Sequence, residues 1–277
     1  MYWYKVPYMT PPTETTSTTY TLHVGDLGPI ELTVSERGHG RPLLLLHGGA
    51  GPQSVTNFAD LMAENHEVRV ITPTHPGFGG TPRPESLASP AGLAALYGEL
   101  LDLLDLEDVI VVGNSIGGWI AAEMALLGSN RIGGVVLVGA VGIEVEGHPV
   151  ADFFSLTMDQ VAALSYHDPD SFRIDPSTMP PAQQQLMAGN RATLAAYTAA
   201  GMGDPTLRTR LAAAHLPTLV LSGESDRIVD QEYGRAFADA IQGARFEVLP
   251  HTGHVPQIET PNQLMTAILA FAPANAA

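Results

Sequence analysis

Apolar and polar positions fall into blocks along the chain, and the blocks predict its elements. Two β-rich runs, 18–24 and 30–36, flank a turn over 25–28 and read as a hairpin after a Thr- and Pro-rich lead-in over 1–17. Short apolar runs follow at 43–46, 68–72, 109–112, 134–138, 218–221 and 246–249. Runs such as Leu43-Leu44-Leu45-Leu46 do not alternate in polarity, which suits strands buried on both faces of a parallel sheet. Helical stretches lie between them, at 57–64, 91–106, 117–127, 231–241 and 261–271. In 91–106 the spacing puts Leu93, Leu96, Leu100, Leu103 and Leu104 on one face. Strand alternating with helix predicts an α/β fold: a mostly parallel, eight-stranded sheet with helices on both faces.

The pattern breaks after Val141. Over 143–210 the chain carries short helical pieces, several prolines, and Met158, Met179, Met187 and Met202. Pro180-Pro181 can open a helix running to Tyr197. The strand pattern resumes at Thr218. Residues 1–142 and 211–277 therefore read as one core domain, with 143–210 as a helical unit inserted into it.

Composition narrows the function. Of 277 residues 45% are apolar, which supplies a sizeable core. Net charge is −16, from 13 basic and 29 acidic residues, which argues against nucleic acid and anionic membrane surfaces as partners. No Cys is present, so disulfides and thiolate chemistry are excluded. The first residues lack a signal-peptide pattern and no apolar stretch is long enough to span a bilayer, so cytoplasm is the expected location. The expected partner is a small-molecule substrate, and no cofactor or metal is implied. Oligomeric state is not legible.

The chemistry collects after the apolar runs, where parallel sheets place their sites. Gly113-Asn114-Ser115-Ile116-Gly117 follows Val109-Ile110-Val111-Val112 and precedes a helix. With Gly at 28 of 277 positions, two glycines bracket a given Ser by chance about once in a hundred. The motif gains weight from its strand–turn–helix setting, where a strained turn lifts a Ser hydroxyl clear of the sheet. Gly223-Glu224-Ser225-Asp226 and His251-Thr252-Gly253-His254 follow two later strands. A Ser nucleophile needs a His base, a carboxylate to orient it and N–H donors for the oxyanion. The chain offers them in the order Ser, Asp, His. His47-Gly48-Gly49-Ala50-Gly51-Pro52 adds a Gly-rich loop, and no Gly-Lys-Ser/Thr follows to make it a phosphate loop.

These motifs, with Pro76-Gly77-Phe78-Gly79, resemble the α/β-hydrolase family over residues 43–258. The resemblance implies the α/β-hydrolase fold, with Ser115 as nucleophile, Asp226 as acid and His254 as base. It also implies backbone N–H donors from Gly49 and Ile116, and a cap over the site at 143–210. Glu224 and Asp230 compete for the acid role and His251 for the base; the motif positions favour Asp226 and His254. His47 reads as a structural residue of its loop and His75 as a solvated loop histidine. His251 and His254 have a metal-like spacing but lack an acidic third ligand. Asn114, Met187, Arg191, Tyr197 and Val255 are the candidates for lining the substrate pocket.

The expected activity is cleavage of a carboxylic ester of a small or medium apolar acid through an acyl-enzyme, by a carboxylesterase-like enzyme. The alternative is a C–C bond hydrolase acting on a vinylogous diketone of the ring-cleavage type, which the Gly-Asn-Ser start and the His-Gly-Gly-Ala-Gly-Pro loop resemble. Such enzymes carry a Trp after the base, where Val255 stands here, and a cap Arg for the substrate carboxylate, for which Arg191 or Arg173 is available. A ligand receptor or a cofactor-free lyase on the same fold is the reading from another class.

Overall fold

The computed structural model describes residues 14–65, 67–173, 175–198 and 201–271. Most of the expected lead-in lies outside them. Eight strands form one sheet: β1 (Thr16–His23), β2 (Pro29–Gly38), β3 (Arg41–Leu46), β4 (Val68–Pro73), β5 (Val109–Asn114), β6 (Ile132–Val138), β7 (Thr218–Gly223) and β8 (Arg245–Leu249). Their order is β1-β2-β4-β3-β5-β6-β7-β8. β2 runs antiparallel to β1 and β4, and every pair from β4 to β8 is parallel. The β1–β2 hairpin follows the sequence pattern, and so does the parallel sheet.

Alternate residues of each central strand feed two cores. Leu44, Leu46, Val109, Val111, Val135, Leu137 and Val220 face one layer of helices, and Leu43, Leu45, Ile110, Val112, Val136, Val138, Leu219 and Leu221 face the other. Both faces are dry, which is why these strands read as unbroken apolar runs. Helices α1 (Gln53–Asn65), α2 (Pro90–Leu103) and α3 (Ile116–Ala125) link the first strands. The second helix is capped by the Ser89 hydroxyl, which accepts from Gly92 N at 3.1 Å, and opens with Pro90 at its first turn. Leu93, Leu96 and Leu100 are fully buried, as their spacing predicts, but Leu103 ends the helix and is 55% exposed.

Between β6 and β7 the chain leaves the sheet and forms α4 (Met158–Ser165), α5 (Pro169–Phe172), α6 (Pro181–Tyr197) and α7 (Leu207–Arg210). The two ends of this excursion meet. Gly142 bridges Gly203, and Asp204 N donates to Gly142 O at 2.8 Å. The buried Tyr233 hydroxyl accepts from Gly142 N and Ile143 N and donates to Ile143 O at 2.7 Å. Beside this neck, Arg210 makes a bidentate ion pair with the buried Glu123 of α3, at 2.7 and 2.8 Å. The core ends with α8 (Gln231–Asp239), α9 (Pro256–Glu259) and α10 (Pro261–Phe271). Among the described residues no helix is long and apolar enough to cross a membrane.

Candidate active site

β5 delivers Ser115 at its carboxyl end. The residue has φ 57° and ψ −118°, a conformation that L side chains rarely adopt. Its N–H donates to Val138 O at 3.0 Å and its carbonyl accepts from Trp119 N at 3.1 Å, so strand and helix hold the bend from both sides. A Cβ on Gly113 would strike Gly117 O, and one on Gly117 would strike the carbonyls of Leu46 and His47. Both glycines are therefore required by close approach. Ser115 is partly exposed, while residues 109–114 and 116–125 around it are buried. The N–H groups of Ile116 and Gly49 have no acceptor among the described residues.

The loops after β7 and β8 bring Asp226 and His254 together. Asp226 Oδ2 lies 2.8 Å from His254 Nδ1, and the carboxyl is wholly buried. Its other oxygen accepts from Ile228 N at 2.9 Å and Val229 N at 3.1 Å, so the carboxylate is fixed before it meets the ring. The competing residues sit elsewhere. Asp230 caps α8 through Tyr233 N and pairs with His148 at 2.7 Å, and Glu224 accepts from His251 N at the surface. His251 is exposed, with its ring against His167.

Asn114 is a brace. Its Nδ2 donates to His254 O at 2.9 Å and to Val138 O at 3.1 Å, and its Oδ1 accepts from the buried Gln257 at 3.1 Å. At 5% exposure, it ties β5 to the His254 loop.

His75 corrects the expectation of a solvated loop histidine, while His47 sits as a structural residue of its loop. Both are fully buried and their rings stack at 3.8 Å. His47 Nε2 accepts from His75 N at 3.2 Å, so its proton sits on Nδ1 and is given to Gly48 O at 2.8 Å. His75 Nε2 donates to His47 O at 2.9 Å, and its Nδ1 meets the buried Tyr97 hydroxyl. Burial, partly offset by the bond to Gly48, pushes the His47 imidazole down to about 4. Burial and the neighbouring ring hold His75 well below its usual range. This neutral pair locks the loop carrying Gly49 to the loop at 75–80.

Helix α6 crosses both loops. Asn190, buried in it, accepts from Gly79 N at 2.9 Å and donates to Ala50 O at 3.1 Å. Thr193 donates to Gly77 O at 2.8 Å, and Leu194 packs where a side chain on Gly49 would stand. Tyr197 donates to Pro76 O at 2.9 Å and stacks on Phe78; burial raises its hydroxyl pKa. At 3% exposure it joins helix to loop rather than lining a cavity. Met187 and Val255 are half-buried. Arg191 Nη2 donates to the carbonyls of Phe153 and Phe154, at 2.9 and 2.8 Å, and to that of Leu156, and its guanidinium lies over the Phe153 ring. Arg173 pairs with Asp159 and Asp170 beside a 380 Å³ groove that also includes Asp175. That acidic setting suits no carboxylate, and the groove includes none of Ser115, Asp226 and His254. Sequence reasoning passed over Asn190, although a polar residue between Leu186 and Leu194, four positions from each, is a legible signal.

A model of the alpha/beta hydrolase family matches residues 43–267. The chain belongs to the alpha/beta hydrolase family. Among curated proteins, this alpha/beta hydrolase is 28% identical to 2-hydroxy-6-oxo-6-(2'-aminophenyl)hexa-2,4-dienoic acid hydrolase of Metapseudomonas resinovorans, over 93% of each chain. It is 31% identical to 2-hydroxy-6-oxo-2,4-heptadienoate hydrolase of Pseudomonas putida, over 84% of this chain and 89% of that one. Among solved structures, a thermophilic esterase from Thermogutta terrifontis matches with TM-score 0.74 at 25% identity, over 92% of this chain and 97% of that one. Both curated relatives are named as hydrolases of 2-hydroxy-6-oxo-dienoates, the substrate type of the C–C alternative rather than of an ester hydrolase, and this overturns the expectation of a carboxylesterase. Val255 in place of a Trp is the feature that favours an ester in the sequence, whereas the Gly-Asn-Ser and His-Gly-Gly-Ala-Gly-Pro motifs resemble the C–C hydrolases.

Proposed function

We propose that this chain hydrolyses the C–C bond beside the ketone of a 2-hydroxy-6-oxo-dienoate, with residues 143–210 as the cap over the site. The observation that carries the reading is similarity across 93% of the chain to a relative named for that substrate class. The Asp226–His254 pair and the strained Ser115 turn supply machinery that fits it.

In this reading the dienol substrate first tautomerises to its keto form. Ser115 Oγ attacks the C6 ketone carbon and passes its proton to His254 Nε2, while Asp226 holds Nδ1–H and steadies the imidazolium. The N–H groups of Ile116 and Gly49 receive the oxyanion. Collapse breaks the C5–C6 bond. C5 leaves as a carbanion delocalised into the 2-keto acid and takes the proton from His254. Water, deprotonated by His254, then releases the C6 acid from Ser115. Arg191 is the cation for the substrate's C1 carboxylate: three carbonyls fix one of its nitrogens and leave Nε and Nη1 for the ligand.

The test compares kcat/KM for a 2-hydroxy-6-oxo-6-aryl-dienoate with that for short and medium aryl esters. The dienoate is expected to be preferred by more than about a hundredfold, some 2.7 kcal/mol of transition-state discrimination. Ser115→Ala should abolish turnover, and Arg191→Ala should erase the preference. An enzyme that prefers the esters would sink the reading.

A further inference from the structure

We propose that Glu259 is a positioning residue that holds the His254 loop and the cap in one fixed relation. The inference rests on His254 being the base of the reaction proposed above. Glu259 is the last residue of α9, five positions beyond His254. Its carboxylate accepts three backbone N–H groups from two separate parts of the chain. Oε2 accepts from Gly253 N, the residue before His254, at 2.6 Å. Oε1 accepts from His167 N at 2.7 Å and Asp168 N at 3.0 Å, both in the turn between α4 and α5 of the insertion.

The same turn reaches back to the acid and the base. Leu164 O accepts from Arg227 N at 3.0 Å, one residue past Asp226, and Ser165 O accepts from His254 N itself at 2.6 Å. His167 Nδ1 lies 2.8 Å from the Ser225 hydroxyl, one residue before Asp226. Gly253 allows this approach, because a Cβ there would strike Ser165 O. Residues 164–168 are therefore threaded between the two loops that carry Asp226 and His254. Glu259 closes the ring, since among the described residues it is the one side chain that hydrogen-bonds both the insertion and the His254 loop at this crossing.

The chemistry of the three bonds makes the residue type specific. All three partners are donors, and only a carboxylate offers acceptors at both ends. Gln has nearly the same shape but a single acceptor oxygen. In either orientation its NH₂ group would face a donor, Gly253 N or the pair at 167–168, so one half of the clamp must open. A base loop displaced by about 1 Å can cost on the order of a hundredfold in rate without loss of substrate binding.

The test uses the full-length enzyme and the variants Glu259→Gln, Glu259→Asp and His254→Ala. Two readouts are taken: kcat and KM on the dienoate, and the low-field proton NMR resonance of His254 Nδ1–H, identified by its loss in His254→Ala. Glu259→Gln is expected to lower kcat by about 30- to 100-fold with KM within about threefold, and to broaden or remove the resonance. Glu259→Asp keeps both acceptors on a shorter stem and should fall between Gln and wild type; it decides the matter if the Gln variant does not fold. A Gln or Asp variant with wild-type kcat and an unchanged resonance overturns the proposal. If wild type does not turn over the dienoate, the functional reading fails by itself. The resonance then judges Glu259 alone: altered in the variants it supports the clamp, unaltered it overturns it.

Discussion

All six residues of β5 and all six of β7 are buried, and the chain between β6 and β7 is built in another way. Among its described residues, Ser165, Asn190 and Thr198 are buried although polar. Their bonds, and those of Thr193 and Tyr197, run to backbone groups: α6 holds the loops at 50 and 76–79, and the turn at 164–168 holds the loops at 227 and 253–254. The sheet is fixed by apolar area, whose worth grows with what is covered. The insertion shares in that area through Ile143, Leu194, Tyr197 and Leu207, and adds hydrogen bonds at stated points, each modest in net stability but directional. Damage to the sheet should therefore appear as lost stability, and damage to the insertion's contacts as lost geometry at the site.

The largest expected effect falls on the site itself. Asp226→Asn keeps the shape of the carboxyl but cannot fix the same His254 tautomer, so kcat should drop by about 10⁴-fold with an unchanged urea midpoint. Equal loss from Glu224→Gln would move the acid to another residue. Next, Leu44→Ala in the sheet should cost about 2–5 kcal/mol in urea unfolding and leave kcat of the folded enzyme alone. If kcat fell with it, sheet and site would not be separable.

Acid should act through the histidine pair. His47 titrates at about 4 when folded and near 6.5 when unfolded. Because the unfolded chain binds the extra proton first, stability is full above pH 6.5 and is lost as pH falls toward 4, by about 3 kcal/mol. His75, lowered by burial and by His47, shifts stability in the same direction. Urea midpoints between pH 7 and pH 4.5 measure this, and a flat profile would contradict it. Asn190→Ala should cost about 1–3 kcal/mol, since it leaves Gly79 N–H and Ala50 O unpaired. Its share of lost kcat should exceed that of Leu44→Ala, because Ala50 adjoins Gly49. The reverse ranking would break the contrast between the two regions.

The sequence disclosed what depends on local pattern. Apolar runs located the central strands to within about two residues because burial on both faces leaves no other composition. The Pro180-Pro181 start gave α6 its bounds, Pro181–Tyr197. The strand-end loops were legible because Gly, Ser, Asp and His stood directly after apolar runs. Roles set by tertiary contact were not. The segment at 75–80 does not by itself distinguish a buried His75 from a solvated one, since the ring is covered by His47 and Tyr97, both distant in the chain, as well as by nearby Phe78. Asn114 and Tyr197 were candidates for the pocket because their places beside Ser115 and on α6 say nothing of where an amide or a hydroxyl ends its bond. Leu103 was placed on the buried face because periodicity alone does not say where a helix stops.

The bend at Ser115 also has a consequence for how this protein can change over generations. With φ at 57°, any side chain at position 115 carries a conformational penalty of about 1–3 kcal/mol. Gly would relieve it. Ser115→Gly should thus raise the urea midpoint while it removes the hydroxyl, making a sturdier and inert protein with one substitution. Stabilising substitutions are common in proteins, and their recurrent cost is lost function where a site is strained. On the proposed reading of Ser115 as nucleophile, the exit from function here is a single step, downhill in folding free energy.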